Sequence, residues 1–196
     1  WSYRNIFIDK IKSFNFILDK SKNIFNSTGL SILLNKSIHI IEHEIINFLN
    51  CHGFFFNGSD CFASKGFIYA RINLDENFLD LYNVHLDSGD SSKDQFVRKQ
   101  QLTQLQKYIK NKNSNSPIII TGDFNIDFNS PESKTIQNFI DDIKLNFVNW
   151  DEKYFLNNKV DYIFFNNLNQ SNKWSINNEI YDISDHPPIS TTLKFK

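Results

Sequence analysis

The stretch from Pro117 to Asp127 (Pro-Ile-Ile-Ile-Thr-Gly-Asp-Phe-Asn-Ile-Asp) constrains the fold more than any other. Its run Ile118-Ile119-Ile120 predicts a strand buried on both faces. Such a strand needs covering layers on either side. Polar groups follow at alternate positions, so any chemistry sits at the C-terminal end of the strand. In extended backbone Asp123, Asn125 and Asp127 point to one side. Gly122 admits close approach by another backbone or a ligand. A carboxylate beside a carboxamide at a strand end suits a divalent cation and a phosphate oxygen. The same residues also fit a polar turn after a core strand.

The period of the apolar residues sorts the remaining chain. Residues 1 to 13 fit the end of a helix, and short strands are expected at Phe14–Leu18 and Gly29–Leu34. A longer strand is expected at His39–Leu49; its alternation is incomplete, which fits an edge or a bulge. Gly66–Leu74 and Phe78–Leu86 read as a hairpin turning at Asp75-Glu76-Asn77. The period then becomes helical over Gln95–Lys110, with Phe96, Leu102, Leu105, Tyr108 and Ile109 as the apolar face. A second helix should open at Ser130 with Pro131 in its first position, burying Ile136, Phe139, Ile140 and Ile143. Strands follow near 159–165, 174–176 and 189–195. Many strands with late helices and no dividing linker predict one α/β domain over 1–196, two packed sheets with helices outside.

Composition removes some functions and leaves others open. The chain has 196 residues, and a net charge of −1 gives it no strong overall field for a polyanion, although a local basic patch can suffice. No run of about 18 apolar residues predicts a membrane span, and no secretory signal is visible; the compartment is left unknown. The triplets at Asn26, Asn35, Asn57 and Asn169 are expected by chance in so asparagine-rich a chain. The two cysteines, Cys51 and Cys61, fit either a disulfide or two free thiols, and neither has metal-ligand spacing.

Three further stretches carry chemistry. Leu81 to Asp87 is a strand pattern that delivers His85 near its end, and Lys159 to Phe165 is another that carries Asp161. Ser184-Asp185-His186-Pro187-Pro188 lies in a turn before the last strand. Taken in order with Gly122-Asp123-Phe124-Asn125, this set resembles the endonuclease/exonuclease/phosphatase superfamily of deoxyribonuclease I-like enzymes. The resemblance covers nearly the whole chain. It implies a four-layer α/β sandwich of two mixed β-sheets flanked by helices, and a phosphodiester hydrolase that uses Mg²⁺, with Mn²⁺ or another divalent cation as the substitute.

That chemistry needs an activated water, a cation to neutralise the phosphate and help for the leaving oxygen. His186 is the candidate general base, because imidazole titrates near neutrality; the resemblance makes Asp161 its partner. Asp185, adjacent in sequence, is better placed for metal. His85 is expected to donate to a phosphate oxygen or to protonate the leaving group, Asn125 to hold the phosphate, and Asp123 to orient the nucleophile. The metal set is thus Asp185, Asp123 and Asn125. Each residue also has a structural reading: His39, His43 and His52 as fold residues, Asp185 as a turn cap, Asp161 as a surface acid. One departure stands out. The superfamily's main metal ligand, a Glu in a Gln-Glu motif, does not occur here. Trp1-Ser2-Tyr3-Arg4 resembles the segment that follows it, so the resemblance places that Glu upstream of residue 1, with the first strand. Glu42 and Glu44 sit in the wrong strand to replace it. The 196 residues alone are then expected to bind the cation weakly and to turn over little.

Within the superfamily the neutral sphingomyelinase branch is the nearest likeness. Gly58-Ser59-Asp60-Cys61-Phe62-Ala63-Ser64-Lys65-Gly66 is similar to its Asp-to-Lys loop, which maps a catalytic role onto Lys65 and a switching role onto Asp60. Asn83 to Gly89 and Arg98-Lys99-Gln100-Gln101-Leu102 also look like that branch. The implied partner is a phospholipid of the sphingomyelin kind, at a membrane surface. The alternatives are a nuclease of the same superfamily, or a catalytically dead remnant that binds a phosphorylated ligand or a protein. A nuclease needs a basic groove, which Lys93, Arg98, Lys99, Lys107, Lys110 and Lys112 would supply unless they form a solvated helix face. Phe54-Phe55-Phe56 reads as a core strand in preference to a membrane-touching loop.

Overall fold

The computed structural model describes residues 14–18, 28–53, 60–61, 64–74, 76–112, 114–148, 160–171, 175–176, 186 and 188–196. Expectations for residues 1 to 13, for Phe54 to Phe56 and for Asp185 lie outside them. Strands β1 (Phe14–Leu18) and β2 (Ser31–Asn35) pair antiparallel. Strands β3 (His39–Asn47), β4 (Gly66–Leu74) and β5 (Asn77–His85) then form an antiparallel meander. The register of β3 slips between Ile40 and Glu42, and β3 forms the edge of its sheet.

Helix α1 (Ser92–Lys112) carries the chain over the sheet, so β6 (Ile118–Asp123) returns parallel to β5. Helix α2 (Ser133–Ile143) and the short β7 (Asn146–Phe147) follow, and β8 (Asp161–Asn166) pairs antiparallel with β6. The six-stranded sheet has the order β3-β4-β5-β6-β8-β7. The expected last strand is split: β9 (Leu168–Gln170) pairs with β12 (Leu193–Phe195), and β10 (Ser175–Ile176) with β11 (Ile189–Ser190).

The period of two in the central strands divides the core. Phe67, Tyr69, Tyr82, Val84, Ile118, Ile120, Tyr162 and Phe164 pack with Leu102, Leu105 and Ile109 of α1 and Ile136, Phe139 and Ile140 of α2. On the other face Ile68 and Ala70 pack with Ile17 of β1 and with Leu30 and Ile32. Ile119 and Ile163 face Ile189 and Leu193 across a cavity. The central strands are therefore covered on both sides, as their apolar runs require.

Two helix expectations are corrected. Phe96 is 61% exposed and lies off the inner face of α1, which buries Asp94, Val97, Arg98 and Gln101 before Leu102, Leu105 and Ile109. Ser130 does not cap α2: its hydroxyl donates to the Asp127 carbonyl, the N–H of Ser133 returns to the Ser130 carbonyl, and the helix starts three residues later. The cysteines, left open by the sequence, form a Cys51–Cys61 disulfide. No helix among the described residues is long and apolar enough to cross a membrane.

Candidate active site

The register of the sheet lines up three of the sequence candidates. His85 ends β5 opposite Asp123, the last residue of β6, and Asp123 lies opposite Asp161, the first residue of β8. The β5–β6 approach is tight at Gly122: φ is 137°, and a Cβ there would lie 2.0 Å from the Val84 carbonyl oxygen, so only glycine fits. From the turn before β11, His186 meets this row, its Nδ1 2.7 Å from Asp161 Oδ2. Asp123, Asp161 and His186 each place a donor atom within 4.8 Å of the others. Asn125 leaves the strand in left-handed conformation, φ 50°. Its N–H donates to Asp123 Oδ1 at 2.8 Å and its Nδ2 to the Leu86 carbonyl at 2.9 Å. Beside His186 a cavity of about 360 Å³ is lined by Asn125, Asp127, Gln95 and Asp90 among others.

On the other side of the row stands Lys65, 8% exposed. Its Nζ is 2.5 Å from His85 Nε2 and 3.6 Å from Asp60 Oδ1. Asp60 Oδ2 in turn accepts from the N–H and the hydroxyl of Ser88, both at 2.7 Å. Burial and then the Lys65 ammonium hold the His85 imidazole below its ordinary range, against the pull of Asp123 and Asp60. A lysine ammonium has donors only, so His85 Nε2 accepts from Lys65 Nζ. Burial, then the Asp161 carboxylate opposite, push Asp123 up, and the Asn125 N–H with His85 and His186 offsets this only in part. Two carboxylates facing one another in a half-buried row form a centre that a cation would relieve.

The model of endonuclease/exonuclease/phosphatase family 2 matches residues 4–152. The chain belongs to this family. Sphingomyelinase C of Bacillus cereus is 36% identical over 75 residues, 35% of this chain and 22% of its own length. A Mycobacterium bovis sphingomyelinase is 29% identical over 79 residues, 40% of this chain and 15% of its own. The chain thus matches under a quarter of the length of these curated relatives. Among solved structures, a β-hairpin deletion mutant of Staphylococcus aureus beta toxin superposes with a TM-score of 0.63 at 21% identity, covering 83% of this chain and 68% of that one. A humanized D. rerio TDP2 gives 0.68 at 18%, covering 98% and 80%. These likenesses show the fold, the deoxyribonuclease I-like α/β sandwich of the family.

Beneath this candidate site lies a buried polar frame that the sequence reading missed. Arg98, read above as part of a basic groove or a solvated face, is 2% exposed. It donates to Glu132 through Nε and Nη2 at 2.9 and 2.6 Å, and through Nη1 to the carbonyls of Asp87 and Gly89 at 3.0 and 2.7 Å. Gln101 Nε2 donates to Asp87 Oδ1 at 2.7 Å and to the Asn50 carbonyl at 2.8 Å, and its Oε1 accepts from the Asp87 N–H. The His52 N–H donates to the other Asp87 oxygen at 2.6 Å. Burial drives the Asp87 carboxyl up against these bonds. The frame holds the loop after His85, on which Leu86 receives Asn125 and Ser88 holds Asp60. The clue lay in the sequence: Asp94, Arg98, Gln101 and Leu105 recur at helical spacing, so polar residues occupy the inner face of α1. Glu42 and Glu44 pair at the far end of the sheet, with Arg71 and Lys112.

Proposed function

We propose that this cleft hydrolyses phosphodiesters and that its substrate is a phosphocholine-bearing lipid of the sphingomyelin type. The observation that carries the reading is the His186–Asp161 contact on the row of strand ends. His186 Nδ1–H donates to Asp161, which fixes the tautomer and leaves Nε2 to take a proton from the attacking water. Lys65 sets a positive charge beside the phosphate, held by Asp60 and by the neutral His85. Asn125, tied to Leu86 and Asp123, contributes its carboxamide to the phosphate. The donors fit a hard divalent cation, since the Asp123 carboxylate and the Asn125 carboxamide offer oxygens and hard cations take oxygen ligands. Asp123 and Asn125, with Asp185, would hold Mg²⁺ or Mn²⁺, while Asp161 stays with His186. When bound, the ion supplies charge neutralisation at the phosphate oxygens. One of the neighbours, a beta toxin variant, has bound magnesium ions. The lipid head group is favoured by the sphingomyelinase relatives and by the Asp60–Lys65 pair.

The test measures choline-phosphate release from sphingomyelin micelles and nicking of supercoiled DNA on one preparation of a chain extended upstream of Trp1, with Mg²⁺. Release should outpace nicking, and Lys65→Ala and His186→Ala should each suppress it. Faster nicking would move the substrate to nucleic acid, and full turnover by His186→Ala would place the base elsewhere.

A further inference from the structure

We infer that the solvent face of α1 docks against an anionic lipid surface. Successive steps of three or four residues put Phe96, Lys99, Thr103, Lys107 and Lys110 on one outward stripe of this helix, flanked by Lys93. The one acid of α1, Asp94, is buried. Lys93, Lys99 and Lys107 make no ion pair among the described residues, and Lys110 reaches only Asp142, at 3.9 Å. In a chain of net charge −1 this concentrates unpaired positive charge on one element. Two exposed apolar side chains lie on or beside this helix. Phe96 is 61% exposed, and Leu49, whose N–H donates to Gln104 of α1, is 85% exposed. Cations around exposed apolar groups match a membrane interface, where the lysines meet anionic head groups and the phenyl and isobutyl groups enter the acyl boundary. An aliphatic Leu49 gains nothing by stacking on a base, which argues for lipid over nucleic acid. Gln95 lines the cavity beside His186 and precedes Phe96, so docking by this face brings the cleft mouth to the bilayer. That consequence rests on the lipid reading above; the binding does not.

Flotation of the 196-residue chain with phosphatidylcholine vesicles, with and without phosphatidylserine, tests the proposal. Binding should require phosphatidylserine and fall with salt. Lys99→Gln and Lys107→Gln should each weaken it about fivefold, Phe96→Ala should weaken it, and Lys194→Gln in β12, the same charge change elsewhere, should leave it unaltered. Equal binding to both vesicles, or binding that the α1 variants leave intact, would overturn the proposal. So would duplex DNA captured through these lysines by a chain that ignores vesicles. Turnover of a water-soluble phosphocholine aryl ester by the upstream-extended chain separates the two readings: if that chain floats but does not cleave the ester, the proposed activity is lost and the docking face is kept.

Discussion

Towards the start of β5, Asp80 accepts from both Nε and Nη2 of Arg71, at 2.8 and 2.9 Å, and from the Tyr69 hydroxyl at 3.3 Å. Lys112 stands 2.7 Å from Glu44, 3.6 Å from Glu42 and 4.2 Å over the Tyr69 ring. Where β5 stops, His85 faces Asp123 at 3.6 Å, and Asp123 faces another carboxylate. The same sheet thus closes its charges at one end and leaves them unbalanced at the other. The titrations follow: Lys112 holds Glu44 below its ordinary range, and the Asp80 hydrogen bonds push Arg71 up. Asp123, by contrast, is raised by burial and by Asp161. Matched pairs in low dielectric hold a fold together, whereas like charges set face to face make a site for a cation or a proton.

Removing the base should give the largest effect. In the upstream-extended chain His186→Ala and Asp161→Asn are each expected to lower the rate of phosphodiester hydrolysis by about two to four orders of magnitude while leaving the urea midpoint where it was. A loss of midpoint with the rate retained would make this end structural as well. Arg71→Ala is the mirror case. It leaves Asp80, 1% exposed, without its bidentate partner and should cost about 3 kcal/mol of stability, with kcat unchanged below the new midpoint. A fall in kcat at full stability would erase the distinction between the ends. Gly122→Ala sits between the two. The φ of 137° and the 2.0 Å approach to Val84 predict a loss of about 2 kcal/mol, and because Gly122 precedes Asp123 the rate should fall too.

The strand ends were legible because each candidate closes an apolar run: His85 after Leu81 to Val84, Asp123 after Ile118 to Ile120. Their convergence needed register, which a period of two does not specify between strands that helices separate. The apolar period of α1 puts Phe96 inside, but Arg98 and Gln101 take the inner face by bonding backbone carbonyls of neighbouring loops. No local pattern announces such a partner. The Ser130 expectation fails because its hydroxyl and its N–H both donate to the Asp127 carbonyl, which ties Ser130 into a turn ahead of the helix. Lys65 was found by likeness to a loop, and its hold on His85 came only from the tertiary contact.

A third region tests whether the unbalanced end depends on closed charge beneath it. Asp94 and Ser91 cap α1 reciprocally: Asp94 Oδ2 accepts the Ser91 N–H at 2.9 Å, and the Ser91 hydroxyl accepts the Asp94 N–H at 3.2 Å. Asp94 Oδ1 also lies 2.5 Å from His52 Nδ1. Burial alone would raise this carboxyl, but the Ser91 and His52 bonds outweigh it and hold it below the ordinary range. A depressed carboxyl stabilises the fold at pH above its unfolded value, near 4, and loses that contribution as pH falls through its folded value. Asp94→Asn should therefore cost about 1 kcal/mol at pH 7, and the gap to the parent chain should narrow as acid protonates Asp94 in the parent. Urea midpoints of both chains at neutral pH and in the acid range read this directly. A gap constant with pH would mean that geometry, and not charge, is what Asp94 lends to the loop that follows His85.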